Sequence, residues 1–491
     1  MATATRDRPE MSDKQLGNVI ATALLDGALP GEIDAFDKAA CDEAAAFIAR
    51  AAEQRKAGAP ALTLESVGVG DRRRYMRLAI INDDMPFLVD SVAATIVAHD
   101  LPIHRIIHPV LPVRRDADGK LTAILPADSS GERRESFIYI ETERADARER
   151  RALTDELLAN LAHVRASVTD WPLLQAAMRN DAERLPDGEG AALLRWFLDR
   201  KFTLLAHEVR SRAGARSDML GLSRIDGPEI LADATLDAAF KWFGDGGQPP
   251  LLLKSNRIST VHRRVPLDLV LVPHREGGKI AAISIHAGMW TSAAFNEAPA
   301  KIPMLRAQLA ALQEKYGFDP AGHAGKALSH ALSALPHDLL IAFDGESLEN
   351  VALTSMSLAD RPRPKLVTVP SPLGRHLFAF VWLPRDELST QRRLQIGDML
   401  AEAANAKILS WAIALEDGVV ALMRYTLDMR AGGQMPDTAA LDARLEQMMR
   451  GWAPAVEESL AGLGEAGRAA RLGLRYAGAF PAHYRTAYSP G

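Results

Sequence analysis

The chain has 491 residues, with 58 basic and 63 acidic side chains and a formal net charge of -5, so no global basic field exists to hold nucleic acid or an anionic membrane. Hydrophobic residues make up 47% and charged residues 25%, the balance of a soluble globular protein, and the length gives a prior of about three domains. No apolar run approaches the ~18–20 residues of a bilayer span, the polar start (MATATRDRPEMSDKQ) lacks a signal-peptide core, and the single cysteine, Cys41, excludes a disulfide framework or multi-cysteine metal site; a cytoplasmic chain is expected.

Residues 1–30 read as a flexible arm. An Ala-rich helix follows over 34–54, with Cys41, Ala45, Phe47 and Ile48 on its apolar face. Tyr75 to Ile81 is a strand, and Asn82-Asp83-Asp84-Met85-Pro86 a turn into a helix through His99, capped by Asp84 with Pro86 in the first turn. An extended run over 103–113, strands over 121–125 and 137–141, and a helix over about 145–169 complete a β-α-β-β-β-α order. In 185–260 a helix is expected at AALLRWFLDRKF, among short strands. A hairpin follows with Val265, Leu267, Leu269 and Leu271 on one strand and Ala281, Ile283, Ile285 and Ala287 on the other. Helices are expected over 302–316 and 324–334. Strands over 366–369 and 377–383, a helix over 389–405, a hairpin around Glu416-Asp417-Gly418 and a helix over 437–460 close the chain. The hairpin-plus-helix unit thus occurs three times, at unequal spacing, which excludes a solenoid.

The expected fold class is α+β, with three ferredoxin-like modules of antiparallel sheet covered by helices and a mixed α/β middle segment. The expected divisions are 1–30, an arm; 31–180, module 1; 181–259, a linking segment; 260–350, module 2; 351–435, module 3; and 436–491, a helical connector.

Chemistry is sparse. The G-x-G-x-x-G string at Gly462–Gly467 follows a helical segment rather than a strand, so it reads as a break between helices. No P-loop, H-E-x-x-H, C-x-x-C or G-x-S-x-G string occurs. His104 and His108 have only His99 nearby as a third ligand, and hydrogen-bonding roles are expected for them rather than a metal site. Arg361-Pro362-Arg363-Pro364-Lys365 reads as a stiff exposed linker. Two places remain open. His262-Arg263-Arg264 is either a solvated basic strand end or a contact for an acidic ligand. The turn with Asn82, Asp83, Asp84, Asp90 and Ser91 is either a plain helix start or an amino-acid site, in which helix N–H groups take the carboxylate and Asp83 or Asp84 the ammonium. Catalytic, cofactor and metal residues are assigned to no position.

Asp84-Met85-Pro86-Phe87-Leu88 resembles the D-x-P-G-L turn of ACT modules, βαββαβ domains that bind amino acids, and departs from it at Phe87, where such modules carry Gly. The strings DDMPFLVDSV (83–92), HPV (108–110), ESFIYIE (135–141), LLRWFLDRKFTLL (193–205), STVHRRVPLD (259–268), TSAAFNEAPAKIPMLR (291–306), HAGKALSHALSALPHD (323–338) and LPRDELST (383–390) occur in that order. The series resembles the N-terminal region of the large bacterial NAD-specific glutamate dehydrogenases, from about residue 35 to the end.

The resemblance implies a regulatory and assembly region of three ACT-like modules ahead of a catalytic region that this chain does not contain; Ala479–Thr486 resembles the join between them. The parent reaction would oxidise L-glutamate to 2-oxoglutarate and ammonium with NAD. NAD would belong to the parent enzyme and no cofactor to this chain. The implied partners are further copies in a homo-oligomer, an amino-acid effector and a separate catalytic polypeptide. The alternatives are a stand-alone ACT-type amino-acid-binding regulator and a purely structural assembly module.

Overall fold

The computed structural model describes residues 11–33, 36–68, 74–129, 132–225, 227, 229–415, 419–449, 452–462, 466–481 and 484. Within them the chain is α+β, with three sheets whose strand pairs are all antiparallel.

The first unit runs α1 (Asp13–Gly27), α2 (Pro30–Ile33), α3 (Lys38–Ala52), β1 (Ala61–Val67), β2 (Tyr75–Asp83), α4 (Leu88–Ala98), β3 (Ile103–Ile107), β4 (Val110–Arg115), β5 (Leu121–Ile124), β6 (Arg133–Thr142) and α5 (Ala147–Thr169). Its sheet order is β1-β2-β6-β4-β5, with β3 also on β6. The alternation along β2 divides two cores. Met76, Leu78 and Ile80 face Leu88, Val92 and Leu157 of α4 and α5, while Ala79 and Ile81 face Ile20 of α1 and Phe47 of α3. The sheet is therefore covered on both faces. The expected arm is in part helix. Ser12 and Gln15 form a capping box, and Leu16, Ile20 and Leu24 sit four apart on a face buried against α3. The extended run expected over 103–113 is two strands, because the chain passes between them through Pro109, which has no N–H to donate.

The middle unit runs α6 (Trp171–Arg184), α7 (Glu189–Trp196), β7 (Phe202–Ser211), β8 (Arg216–Gly221), α8 (Asp233–Gly244), β9 (Leu251–Ile258), β10 (Pro266–Glu276) and β11 (Lys279–Trp290), in a sheet ordered β8-β7-β11-β10-β9. The expected hairpin is β10–β11, with Leu271 opposite Ile285. It is the inner part of a larger sheet, and the division expected at 259/260 passes through that sheet, because β9 pairs with β10. The helix expected at AALLRWFLDRKF ends early. Arg200 takes a positive φ of 55° after one π turn, and Phe202 already starts β7.

Helices α9 (Ser292–Phe295), α10 (Leu305–Tyr316), α11 (His323–Ser333), α12 (His337–Leu340) and α13 (Gly345–Asp360) then lead to β12 (Lys365–Pro370), β13 (His376–Pro384), α14 (Thr390–Ala404), β14 (Lys407–Leu415) and β15 (Val420–Asp428). The third sheet is ordered β12-β13-β15-β14. Strand β13 is buried on both faces. Leu377, Ala379 and Val381 pack with Ile396 and Leu400 of α14. Phe378, Phe380 and Trp382 pack with Leu340, Phe343 and Val351 of the helical segment. Each such side chain contributes ~1.5–3 kcal/mol on burial, so β13 ties the third sheet to the rest of the chain. The turn expected at Glu416–Gly418 lies outside the described residues. The helix expected over 437–460 is two, α15 (Thr438–Met449) and α16 (Trp452–Ala461), followed by α17 (Ala466–Tyr476). Helix α16 thus precedes the G-x-G-x-x-G string and α17 takes in its last two residues, Ala466 and Gly467, while residues 463–465 lie outside the described ones. Among the described residues no helix is long and apolar enough to cross a membrane.

Candidate functional site

The chain leaves β2 at Asp83 and enters α4 at Leu88. The helix N-cap is Phe87, not Asp84, and it has left-handed backbone angles (φ 71°, ψ 1°) with no side-chain cap. Pro86 accordingly lies before the helix. A non-glycine residue in this conformation costs about 1–2 kcal/mol. The ring offsets part of that cost by lying 5.2 Å from the ring of His262.

His262 comes from the loop between β9 and β10, and the two sequence-derived candidate places are therefore one place. The His262 N–H donates to Ser91 Oγ at 2.8 Å, and Ser91 Oγ donates to the Phe87 carbonyl at 2.6 Å. His262 Nδ1 lies 2.8 Å from Asp90 Oδ2. Beside it Arg264 pairs with Glu156 at 2.7 Å, and His99 lies 2.9 Å from the same carboxylate. His163 Nδ1 lies 2.8 Å from Thr260 Oγ1, and Ser167 Oγ donates to the Leu205 carbonyl at 3.0 Å. Helices α4 and α5 of the first unit are thus stitched to the middle sheet. Arg263 alone of its run turns away, donating to the Trp290 carbonyl. Substituting Ser91 by alanine should cost ~1–2 kcal/mol, because the His262 N–H loses its acceptor. A urea midpoint shift checks this; an unchanged midpoint overturns it.

The other half of the expected site is differently occupied. Asp83 takes Arg55 and Arg165 at 2.7 Å each and is also paired with Arg133. Burial works to raise its pKa, but the three guanidinium groups hold it well below the usual carboxylate range. An ammonium group would have to displace arginines to reach it. Asn82 Oδ1 accepts from Arg165 at 2.6 Å, and Asp84 accepts from Ser136 Oγ at 2.9 Å while remaining exposed. Behind Asp83, the fully buried Glu135 receives Arg55 at 2.7 Å on one oxygen and Arg115 at 2.8 Å on the other. Gly119 is required here, since a Cβ would lie 2.3 Å from the Arg55 carbonyl. These arginines lie 20 to 82 residues from their acids in sequence, so no local pattern announced them.

Two further buried clusters carry charge. Asp181 of α6 lies 2.7 Å from His274 Nε2 and 2.8 Å from His286 Nε2, and it accepts from Ser284 Oγ. The ring of His207 stacks 4.6 Å from that of His286. Lys254 bridges Asp268 and Asp338 at 2.5 Å each, joining β9 and β10 to α12. His104, by contrast, pairs with Glu143, apart from His99. Among the described residues no group of three His, Cys, Asp or Glu side chains is placed to hold a metal ion. The arrangement holds elements in register.

Comparison with known proteins gives three family matches along the chain. Residues 21–157 match the glutamate dehydrogenase ACT1 domain, 302–361 glutamate dehydrogenase helical motif 1, and 365–453 the glutamate dehydrogenase ACT2 domain. These spans coincide with the first unit, with helices α10–α13, and with the third sheet and its helices. The chain is 30% identical to an NAD-specific glutamate dehydrogenase of Halomonas elongata over 444 residues, 84% of this chain and 27% of that protein. It is 30% identical to one of Pseudomonas aeruginosa over 453 residues, 86% of this chain and 28% of that protein. A relative from Mycobacterium tuberculosis is 23% identical over 461 residues, 84% of this chain and 26% of that protein. The chain spans about a quarter of the length of the curated relatives it matches.

Proposed function

Since the chain belongs to the NAD-specific glutamate dehydrogenase family, we propose that it is the regulatory and assembly part of such an enzyme. The parent reaction would convert L-glutamate and NAD to 2-oxoglutarate, ammonium and NADH. One observation carries the regulatory reading: the turn that opens α4 in the ACT1-matching unit is clasped by the β9–β10 loop through Ser91, Asp90 and His262. A ligand that prefers one arrangement of this seam shifts the equilibrium of the whole enzyme by its differential affinity.

The effector class that suits an ACT-like unit is a free amino acid. Its carboxylate would take helix N–H groups at the start of α4, and its ammonium the exposed Asp84. Calorimetric titration of the chain with a panel of amino acids should give saturable heat with at least one. No heat with any would sink the sensing reading. Assayed alone with glutamate and NAD, the chain should form no NADH; NADH above the blank would mean that it holds a reacting centre. A second, purely structural reading is favoured by Phe87, whose ring lies against His262 where the family pattern has glycine.

A further inference from the structure

We infer that the trough between helices α11 and α13 and the third sheet is a binding site for a neutral, mainly apolar small molecule with one hydrogen-bonding end. The inference is independent of the amino-acid site proposed above, which lies in the first unit. The trough has a volume of about 750 Å³. That falls within the ~300–1,000 Å³ of small-molecule sites, which occur preferentially where structural units meet.

Its floor is set by strand register. Trp382 of β13 pairs with Leu422 of β15, and Leu422 pairs with Ala414 of β14, so three apolar side chains stand in a row on one face of the sheet. One wall is α11, where lining residues His323, Ala327, His330 and Ala334 recur at spacings of four, three and four and so share a face. The other wall is α13, with Ser355, Met356 and Ala359. Leu415 and Val419 stand at the mouth, 62% and 63% exposed.

Side-chain size explains the gap. Leu328 and Leu332 on the neighbouring face of α11 are fully buried in the core that also holds Trp382 and Leu422. These leucines set the distance of α11 from the sheet, and the alanines beside them are too short to fill it. Protein interiors otherwise pack as densely as organic crystals, so the lining atoms lack contacts that a ligand would supply.

The same lining selects the ligand. It contains no Asp, Glu, Lys or Arg. A charged group taken into it would lose its hydration and meet no counter-charge, which favours a neutral molecule. The polar features at the rim include the imidazoles of His323 and His330, ~10 Å apart along the helix axis. Neither ring has a hydrogen-bond partner among the described residues. An imidazole can donate or accept, so either can take the polar end of a ligand whose body lies over Trp382.

N-phenyl-1-naphthylamine, a neutral dye that fluoresces in apolar surroundings and carries one N–H, is the probe. The chain should bind it saturably, one dye per chain, with loss of tryptophan emission as Trp382 transfers energy to it. Ala327→Phe, at a half-buried wall position, should fill the trough and weaken binding ~10-fold or more, with an unchanged far-ultraviolet circular dichroism spectrum. Leu173→Ser, which removes an apolar side chain 55% exposed on α6, should change nothing. H323L combined with H330L should weaken the dye about 5-fold but leave 1-methylnaphthalene, which has no hydrogen-bonding group, unaffected. 8-Anilinonaphthalene-1-sulfonate, the same ring system with a charge, should bind ~10-fold or more weakly than the neutral dye. No saturable binding, wild-type binding by A327F, or equal binding of the sulfonate would overturn the inference.

Discussion

Replacing Glu135 with glutamine should destabilise the chain by about 3–5 kcal/mol. Glu135 has no exposed side-chain surface, Arg55 has none and Arg115 has 6%. Burial works to raise the pKa of Glu135, and hydrogen bonds from Arg115 and Arg55 more than reverse it, so the group is a buried anion between two buried cations. Glutamine keeps the shape and removes the charge. Arg55 would then keep Asp83 and the Ala59 carbonyl, and Arg115 the Ala52 and Gly119 carbonyls. The Arg115 set holds no carboxylate, and the Asp83 kept by Arg55 is already shared with Arg133 and Arg165, so the lost counter-charge is not replaced. The damage would spread from the end of α3 through the turn at Gly119 to β4 and β6, which this carboxylate joins. Glu132, paired with Arg114 at a solvent-exposed position, is the control: E132Q should cost less than ~1 kcal/mol. Urea denaturation measures both. A loss below ~1 kcal/mol for E135Q would show that the pair contributes no more than a surface one.

The elements that sequence reading located well are those with strong periodicity and local punctuation. The β10–β11 hairpin, with Gly277-Gly278 at its turn, stands at its expected place with both strands running further, and β12 to β15 stand within a residue of theirs. What it missed depends on partners far along the chain. Helix α1 carries a clear Leu16–Ile20–Leu24 stripe, but its existence rests on α3 being there to cover it. The middle sheet was divided because β9 and β10 look like separate short strands until they pair. The same holds for the site. The Asp-x-Pro turn is a local pattern and was legible. That His262 would sit on Phe87 and Ser91 was not, since 171 residues separate the Ser91 and His262 that bond. Asp83 and Asp84 look alike in sequence, yet one is committed to three arginines and the other faces water. Only tertiary structure distinguishes an acid that can meet a ligand from one already matched.

Acidification should weaken the fold before most of its carboxylates are protonated. Burial first, and then the charge of His286, push the pKa of His207 down to about 3; Asp181, facing the same ring, opposes this and is outweighed. Burial and the neighbouring Arg375 likewise push His376 down to about 4, against a raising contribution from Asp428. In the unfolded chain both titrate near ~6.5. Between pH ~6.5 and ~4 the unfolded chain therefore binds more protons than the folded one. Stability contributed by these two neutral rings is complete above pH ~6.5 and falls below it, by ~1.4 kcal/mol per pH unit for each. From pH 6.5 to 5 the pair would remove ~4 kcal/mol, a large share of the ~5–15 kcal/mol that holds a typical domain. Asp268 acts in the opposite sense. Burial, reinforced by Asp338, raises its pKa against the pull of Lys254, so the folded chain holds its proton more tightly and gains stability as the pH falls through that raised value. Burial also lowers the pKa values of His108, His163 and His337, which act in the same sense as His207 and His376, so the histidine contribution outweighs that of Asp268 and the net slope is downward. Denaturation midpoints at pH 7.5, 6 and 5 should fall progressively. H207Q, which removes one of these rings, should flatten that slope. A midpoint independent of pH across this range, or an H207Q slope equal to that of the wild type, would mean that His207 is reached by water and protonates in the folded chain.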